Sequence, residues 1–553
     1  MRRAFAPILL ALGLAACRDR GSPAPPPEPP FAGLALDFTP DPARGDLGVE
    51  VRLPADRAAA VTELAVARSW ADTRGVDAVD DLAARDAEGE IRVVARVDPD
   101  GPDRIFNLTR PPRGGLAIRY RARGAASRFA VRVARDRMSA VGHAFLLLPR
   151  VGGAVPARIR FHLGALGRGA EGASSFGFGN EVTTTATTEE LGHAAYVAGR
   201  LWIEEPEKSA PPAEAGKRLV IAGDPPFDGR TAFRFAMSTL AATDRLFGGA
   251  PEPAERLTFL LVPEPGLGRE HDGAYLTRSL ALWFDAKRGL DPEIELTVAH
   301  ELIHRFLGGT VRLVDEGGRD AAWFTEGFTV HFARRLLLDE GIVRPADMLA
   351  DVRRTLGDPP PGEQPPPIEY RRGAQWAAFF DASLRRASGG ARTLADVVRA
   401  LLARARAEGK IRLPVSALRD LLVHDLGPQG GADFDRLIGH PNTPFELPEG
   451  AFGPCFKRAV RETTGFELGF EPLRGSTGLV YGLVKGSAAD RAGVREGALI
   501  LSARIPREED ALRGGAEVDL FIAEGRGRKR VRYKPIGKKT TVTWEVAACA
   551  ATR

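Results

Sequence analysis

The sequence predicts a multidomain α+β protein, and three observations carry that prediction. Its 553 residues exceed a single core, since a domain takes about 150. Apolar residues alternate with period two through the N-terminal part and recur at helical spacing from Leu276. Past residue 460, short runs and glycine turns return. The expected parts are a leader (1–17), a Pro-rich tether (18–30), a β-rich N-terminal domain (31–210), a mainly helical domain (211–448) and a small β domain (460–553). A hydrophobic share of 44% and a charged share of 27% are ordinary for a globular chain. Three cysteines are too few to staple it, and Cys455 and Cys549 are expected to stay free. The net charge of +5 comes from 77 basic and 72 acidic residues that are spread rather than striped, so no nucleic-acid partner is expected.

Met1-Arg2-Arg3 precedes an apolar stretch, 4–16 (AFAPILLALGLAA), too short to remain as a membrane span. Leu14-Ala15-Ala16-Cys17 resembles the lipobox of bacterial lipoproteins. That resemblance implies a thiol at Cys17 that takes a lipid and an acyl anchor in the bilayer. It also implies an envelope location facing the periplasm, with Arg18 leaning toward the outer membrane. The run 21–30 (GSPAPPPEPP) reads as a semi-stiff tether.

Strands are expected at 47–53, 91–97, 116–120 and 129–133, then at 219–223 and 257–262. Residues 183–188 (TTTATT) read as an extended edge or loop. His143, His162 and His193 are far apart in sequence and are read as structural or surface histidines. Helical spacing is read at 276–287, 293–306, 323–339, 373–386, 394–407 and 415–425, with Pro365–Pro367 as a rigid loop before the helix of Tyr370.

The sharpest motif is His300-Glu301-Leu302-Ile303-His304. On a helix, i and i+4 imidazoles share a face, as two tetrahedral zinc ligands must. Glu301 lies one residue round, placed to take a proton from a water without being a ligand. The neighbouring Ile294, Leu296, Val298, Leu302, Ile303 and Phe306 make the helix apolar, so its polar groups need partners. Further on, 322–330 (AWFTEGFTV) carries a lone carboxylate, Glu326, in an apolar run. Metal ligation completes a His2Glu set with an open position, and a salt bridge to Arg334 or Arg335 is the alternative partner. His331 points to a different face and is a candidate to support a ligand from behind.

HELIH followed by WFTEGFTVHF is similar to the gluzincin metallopeptidases, which include the M1 aminopeptidases and the M61 glycyl-aminopeptidase-like family. The likeness spans roughly 250–440, and the domain layout looks most like M61, with a thermolysin-like catalytic domain. It implies one zinc held by His300, His304 and Glu326, with Glu301 as general base. Gly268-Arg269-Glu270-His271 partly resembles the family segment whose glutamate holds the substrate's amino terminus, which implies that role for Glu270. Tyr370-Arg371-Arg372-Gly373-Ala374 resembles the segment whose tyrosine hydrogen-bonds the oxyanion, which implies catalysis by Tyr370.

At the C-terminal end, 478–484 followed by 485–494 (KGSAADRAGV) and a strand at 499–503 resembles a bacterial PDZ domain. The resemblance implies a peptide ligand on a strand edge, with a structural cap as the equal alternative. The basic residues Arg526, Arg528, Lys529, Arg530, Arg532 and Lys534 alternate with Val531 and Tyr533. They read as one solvated strand face, which a membrane surface would attract. The function expected is a zinc aminopeptidase acting on peptides, with small first residues favoured by resemblance alone. An open-cleft endopeptidase, a scaffold acting through the PDZ-like unit, and another hydrolysis on the same zinc remain alternatives.

Overall fold

The computed structural model describes residues 31–96, 101–251, 256–357, 365–440, 445–471, 477–525 and 527–547. The leader with Cys17, the tether and Cys549 lie outside the described residues. The chain divides into two compact units, one ending at Gly199 and the other starting at Arg200. The break falls before the expected boundary at 210 because Leu201–Glu204 pairs with Lys217–Ala222 in the second unit's sheet.

The first unit is β-rich. Its largest sheet uses β1 (Leu34–Asp41), β2 (Asp46–Leu53), β3 (Val79–Asp86), β4 (Gly89–Ile91), β5 (Leu116–Ala122), β6 (Val155–Phe161) and β7 (Glu181–Ala186). The order is β7-β6-β1-β2-β5-β3-β4. Strict alternation in β2 turns Leu47, Val49, Val51 and Leu53 inward, so its register is fixed by burial. The threonine run lies in β7, an edge strand, and Thr187 then caps a short helix. Of the strand read at 129–133, only Arg132–Val133 forms. The run at 91–97 divides between β4 and Val93–Arg96, which belong to different sheets. His162 bonds Asp37 at 2.9 Å. His143 and His193, distant in sequence, have ring centroids 5.5 Å apart beside Trp70, which sequence spacing alone did not reveal.

The second unit begins with a five-stranded sheet flanked by helices. It contains β8 (Leu201–Glu204), β9 (Lys217–Ala222), α1 (Gly229–Leu246), β10 (Leu257–Glu264), β11 (His271–Leu276), β12 (Ser279–Asp285) and α2 (Pro292–Ile303). The sheet order is β8-β9-β10-β12-β11, with β9, β10 and β12 parallel and β11 an antiparallel edge. The stretch 276–287, read as helical, is therefore mostly strand. Its run Leu280-Ala281-Leu282-Trp283-Phe284 is fully buried, and a strand covered on both faces loses its alternation.

The helical part follows with α3 (Thr329–Asp339), α4 (Pro345–Leu356), α5 (Ile368–Ala387), α6 (Leu394–Glu408), α7 (Ser416–Leu426) and α8 (Pro428–Ile438). Helices α4 and α8 each start at a proline, which suits the first helical turn; neither was expected from the sequence. Strands β13 (Phe456–Phe466) and β18 (Ile536–Val546) form a long antiparallel ribbon. Between them lies a sheet ordered β14 (Gly478–Leu479), β15 (Leu499–Arg504), β16 (Val518–Glu524) and β17 (Gly527–Tyr533). Cys455 is disulfide-bonded, so the expectation of a free thiol fails; its partner lies outside the described residues. No helix among the described residues is long and apolar enough to cross a membrane.

Candidate active site

Helix α2 is set firmly at its start. Asp291 accepts from the backbone N–H groups of Glu293 and Ile294, and Pro292 fills the first helical turn. Arg288 holds Asp291 through two bonds of 2.8 Å. Ile294, Leu302 and Ile303 are fully buried, each worth about 1.5–3 kcal/mol against exposure. Just beyond the helix, buried Arg305 bonds Asp244 of α1 at 2.6 Å. The last turns thus deliver His300, Glu301 and His304 from a rigid support.

Glu326 arrives on a single π-helical turn, Trp323–Phe328, that runs directly into α3. Such turns recur at functional sites, because the extra residue redirects a side chain. Two glycines let this turn meet α5. A Cβ on Gly327 would lie 2.3 Å from Gly373 Cα, and one on Gly373 would lie 2.1 Å from the Trp323 carbonyl oxygen. The contact brings Tyr370, in the first turn of α5, over the site, where its ring stacks on His300 at 6.0 Å between centroids.

Three donor atoms converge. The Nε2 atoms of His300 and His304 are 3.0 Å apart, and Glu326 Oε2 is 3.4 Å from each. Tetrahedral zinc with ligands at about 2.0–2.1 Å separates its donors by about 3.3–3.4 Å, so these residues fit that metal. His304 Nδ1 faces the Leu307 carbonyl oxygen at 3.0 Å. In the neutral imidazole, donation there leaves the Nε2 lone pair directed inward, where a metal would take it. The ligand atoms of His300, Glu301 and His304 also fall within 4.8 Å of one another. Glu326 nevertheless makes the better third donor, because one of its oxygens is equidistant from both imidazoles.

Electrostatics separate the two carboxylates. Burial raises the Glu301 carboxyl, although both histidines and the Tyr275 backbone N–H pull it back. Burial would also raise Glu326, but hydrogen bonds from His300 and His304 hold it well below the usual range. Burial opposes charge on His304, yet Glu326 outweighs it and lifts that imidazole to about 9. Burial, then the charge of Glu326 and a hydrogen bond to it, pushes the Tyr370 phenol up and keeps it protonated.

His331 is buried in α3, 3.8 Å from Asp381 on α5. Arg334 and Arg335 bond Asp351 and Asp339, leaving Glu326 to the histidines. Glu270 is exposed in the turn before β11. Two residues of β11 were missed. A Cβ on Gly273 would lie 2.7 Å from Glu301 Cγ, so this glycine permits the close approach of strand and base. Asp272 is near enough for its charge to help raise Tyr370. A glycine inside a strand pattern was the available signal.

No protein-family model matches the chain, and no curated protein matches it. Among solved structures, an aminopeptidase N family protein from Idiomarina loihiensis is similar at a TM-score of 0.64 and 15% identity, over 93% of this chain and 98% of that one. An M1 zinc metallopeptidase from Deinococcus radiodurans gives 0.48 and 18%, over 75% and 95%. Native yeast LTA4 hydrolase gives 0.45 and 12%, over 75% and 69%. The first likeness shows a shared fold: the chain is built as an aminopeptidase N family protein is built.

Proposed function

We propose that this chain is a zinc-dependent aminopeptidase of the gluzincin type, acting on the first peptide bond of peptides. The observation that carries the reading is the triangle of His300 Nε2, His304 Nε2 and Glu326 Oε2, with Glu301 and Tyr370 beside it. Bound there, zinc supplies a Lewis acid that polarises a carbonyl and makes a nucleophile of water near neutral pH. Glu301, buried beside the donors, takes the proton of the attacking water and passes it to the leaving amine. Tyr370, held protonated, donates to the carbonyl oxygen as charge develops.

The substrate's ammonium group would be met by a carboxylate of the segment entering β11, Glu270 or Asp272. The layout of the second unit and its small terminal sheet supports the M61-like reading with a PDZ-like unit, in which Ser487 caps the short helix Ala488–Arg491. The lipobox at Cys17 supports a lipoprotein anchored in the cell envelope. Free and N-acetylated peptides, offered to wild type, Glu270→Gln and Asp272→Asn, test the exopeptidase claim. Cleavage confined to free amino termini, with KM raised in one variant, is expected. Equal cleavage of blocked peptides would replace the reading with an open-cleft endopeptidase.

A further inference from the structure

The sheet β14-β15-β16-β17 packs one face on its own core, through Ile500, Leu520 and Val531 among others. Its other face is open and divides into two halves. Leu479 and Leu499 stand opposite each other across the β14–β15 ladder and are 43% and 45% exposed, and Leu501 beside them is 43% exposed. The second half is cationic. Arg504 on β15 and Arg528, Arg530 and Arg532 on β17 are exposed. They align with Asp519, Phe521 and Ala523 of β16. The guanidinium carbons of Arg528 and Arg530 lie 5.2 and 5.4 Å from the Phe521 ring centre.

Asp519 is the one carboxylate that these four strands place on this face among the described residues, and Arg530 and Arg532 already share it. The first unit's large sheet is different: there Arg52, Arg119 and Arg121 meet Asp37, Glu50 and Asp80. Protection of an edge strand explains lysines and arginines on β17. It does not explain three bare leucines beside them.

We propose that this face docks on an anionic lipid bilayer. The arginines would engage phosphate-bearing headgroups, which suit a planar guanidinium, and the leucines with Phe521 would enter the acyl boundary. A nucleic acid or an acidic peptide would satisfy the arginines and leave the leucines in water.

The test uses the chain lacking residues 1–17, which keeps every described residue and has no acyl anchor. It is sedimented with vesicles of phosphatidylcholine alone or mixed with phosphatidylglycerol. Binding only to the mixed vesicles, weakening with salt, is expected. Arg504→Gln with Arg528→Gln leaves the Asp519–Arg530 pair intact and should weaken binding about 25-fold, at about five-fold per cation. Leu499→Ser with Leu501→Ser should weaken the part that resists salt. Peptidase turnover, measured on the same samples, should stay unchanged and keeps this claim separate from the proposed activity. Equal binding to both vesicles, or binding untouched by both pairs of substitutions, would overturn the proposal. So would equally tight capture by heparin that ignores the leucine changes.

Discussion

Glu301 and Glu326 are carboxylates in one buried site, yet their surroundings send them in opposite directions. Glu301 is 7% exposed, and burial raises its carboxyl. Glu326 is held ionised by two imidazoles, as a metal ligand should be. Removing one donor by Glu326→Ala should therefore lower zinc affinity by at least the 10–100-fold seen when supporting groups are lost, as read by chelator competition. Tyr370 touches the donors only through its ring and hydroxyl. Tyr370→Phe should keep zinc and lower kcat by about 10²–10³ with KM little changed; unaltered kcat would remove it from the chemistry.

At the scale of elements, the site depends on two close approaches. The carboxyl of Glu301 occupies the space where residue 273 would carry a Cβ, so Gly273→Ala should retain zinc while kcat falls through a displaced base. Gly373→Ala pushes α5 off the π-turn, where the nearest atom is backbone and cannot yield. An unfolding-free-energy loss of about 1–3 kcal/mol is expected, with turnover falling alongside. Glu295, also on α2, is raised to about 7 by burial and by the charges of Asp291 and Asp347. Its carboxyl keeps a proton in the folded state that the unfolded chain has already released. Stability therefore falls as pH rises from about 4.5 to about 7. Glu295→Gln should raise the Tm at pH 8 and leave it unchanged at pH 4, as measured by thermal melts.

For the whole molecule, what could be read beforehand was local. The i, i+4 histidines and the apolar setting of Glu326 announce themselves in consecutive residues, and both reached the same site. So did Tyr370. Gly273 matters only once β11 lies beside α2, and Asp272 only once Tyr370 comes near it; neither spacing nor composition carries those approaches. Strand β12 was misread because burial on both faces erased its period, and the pairing of His331 with Asp381 of α5 depends on a helix far along the chain. The boundary near residue 200 depends on one short strand choosing its sheet.

The central claim is that His300, His304 and Glu326 hold one zinc and that Glu301 works on it. Zinc content and hydrolysis of a free peptide, measured together on wild type and Glu301→Gln, test this most directly. About one zinc per chain in both proteins is predicted, with turnover lowered about 10²–10⁴-fold only in the variant. A wild-type chain that binds no zinc, or a variant that cleaves as fast as wild type, would contradict the account.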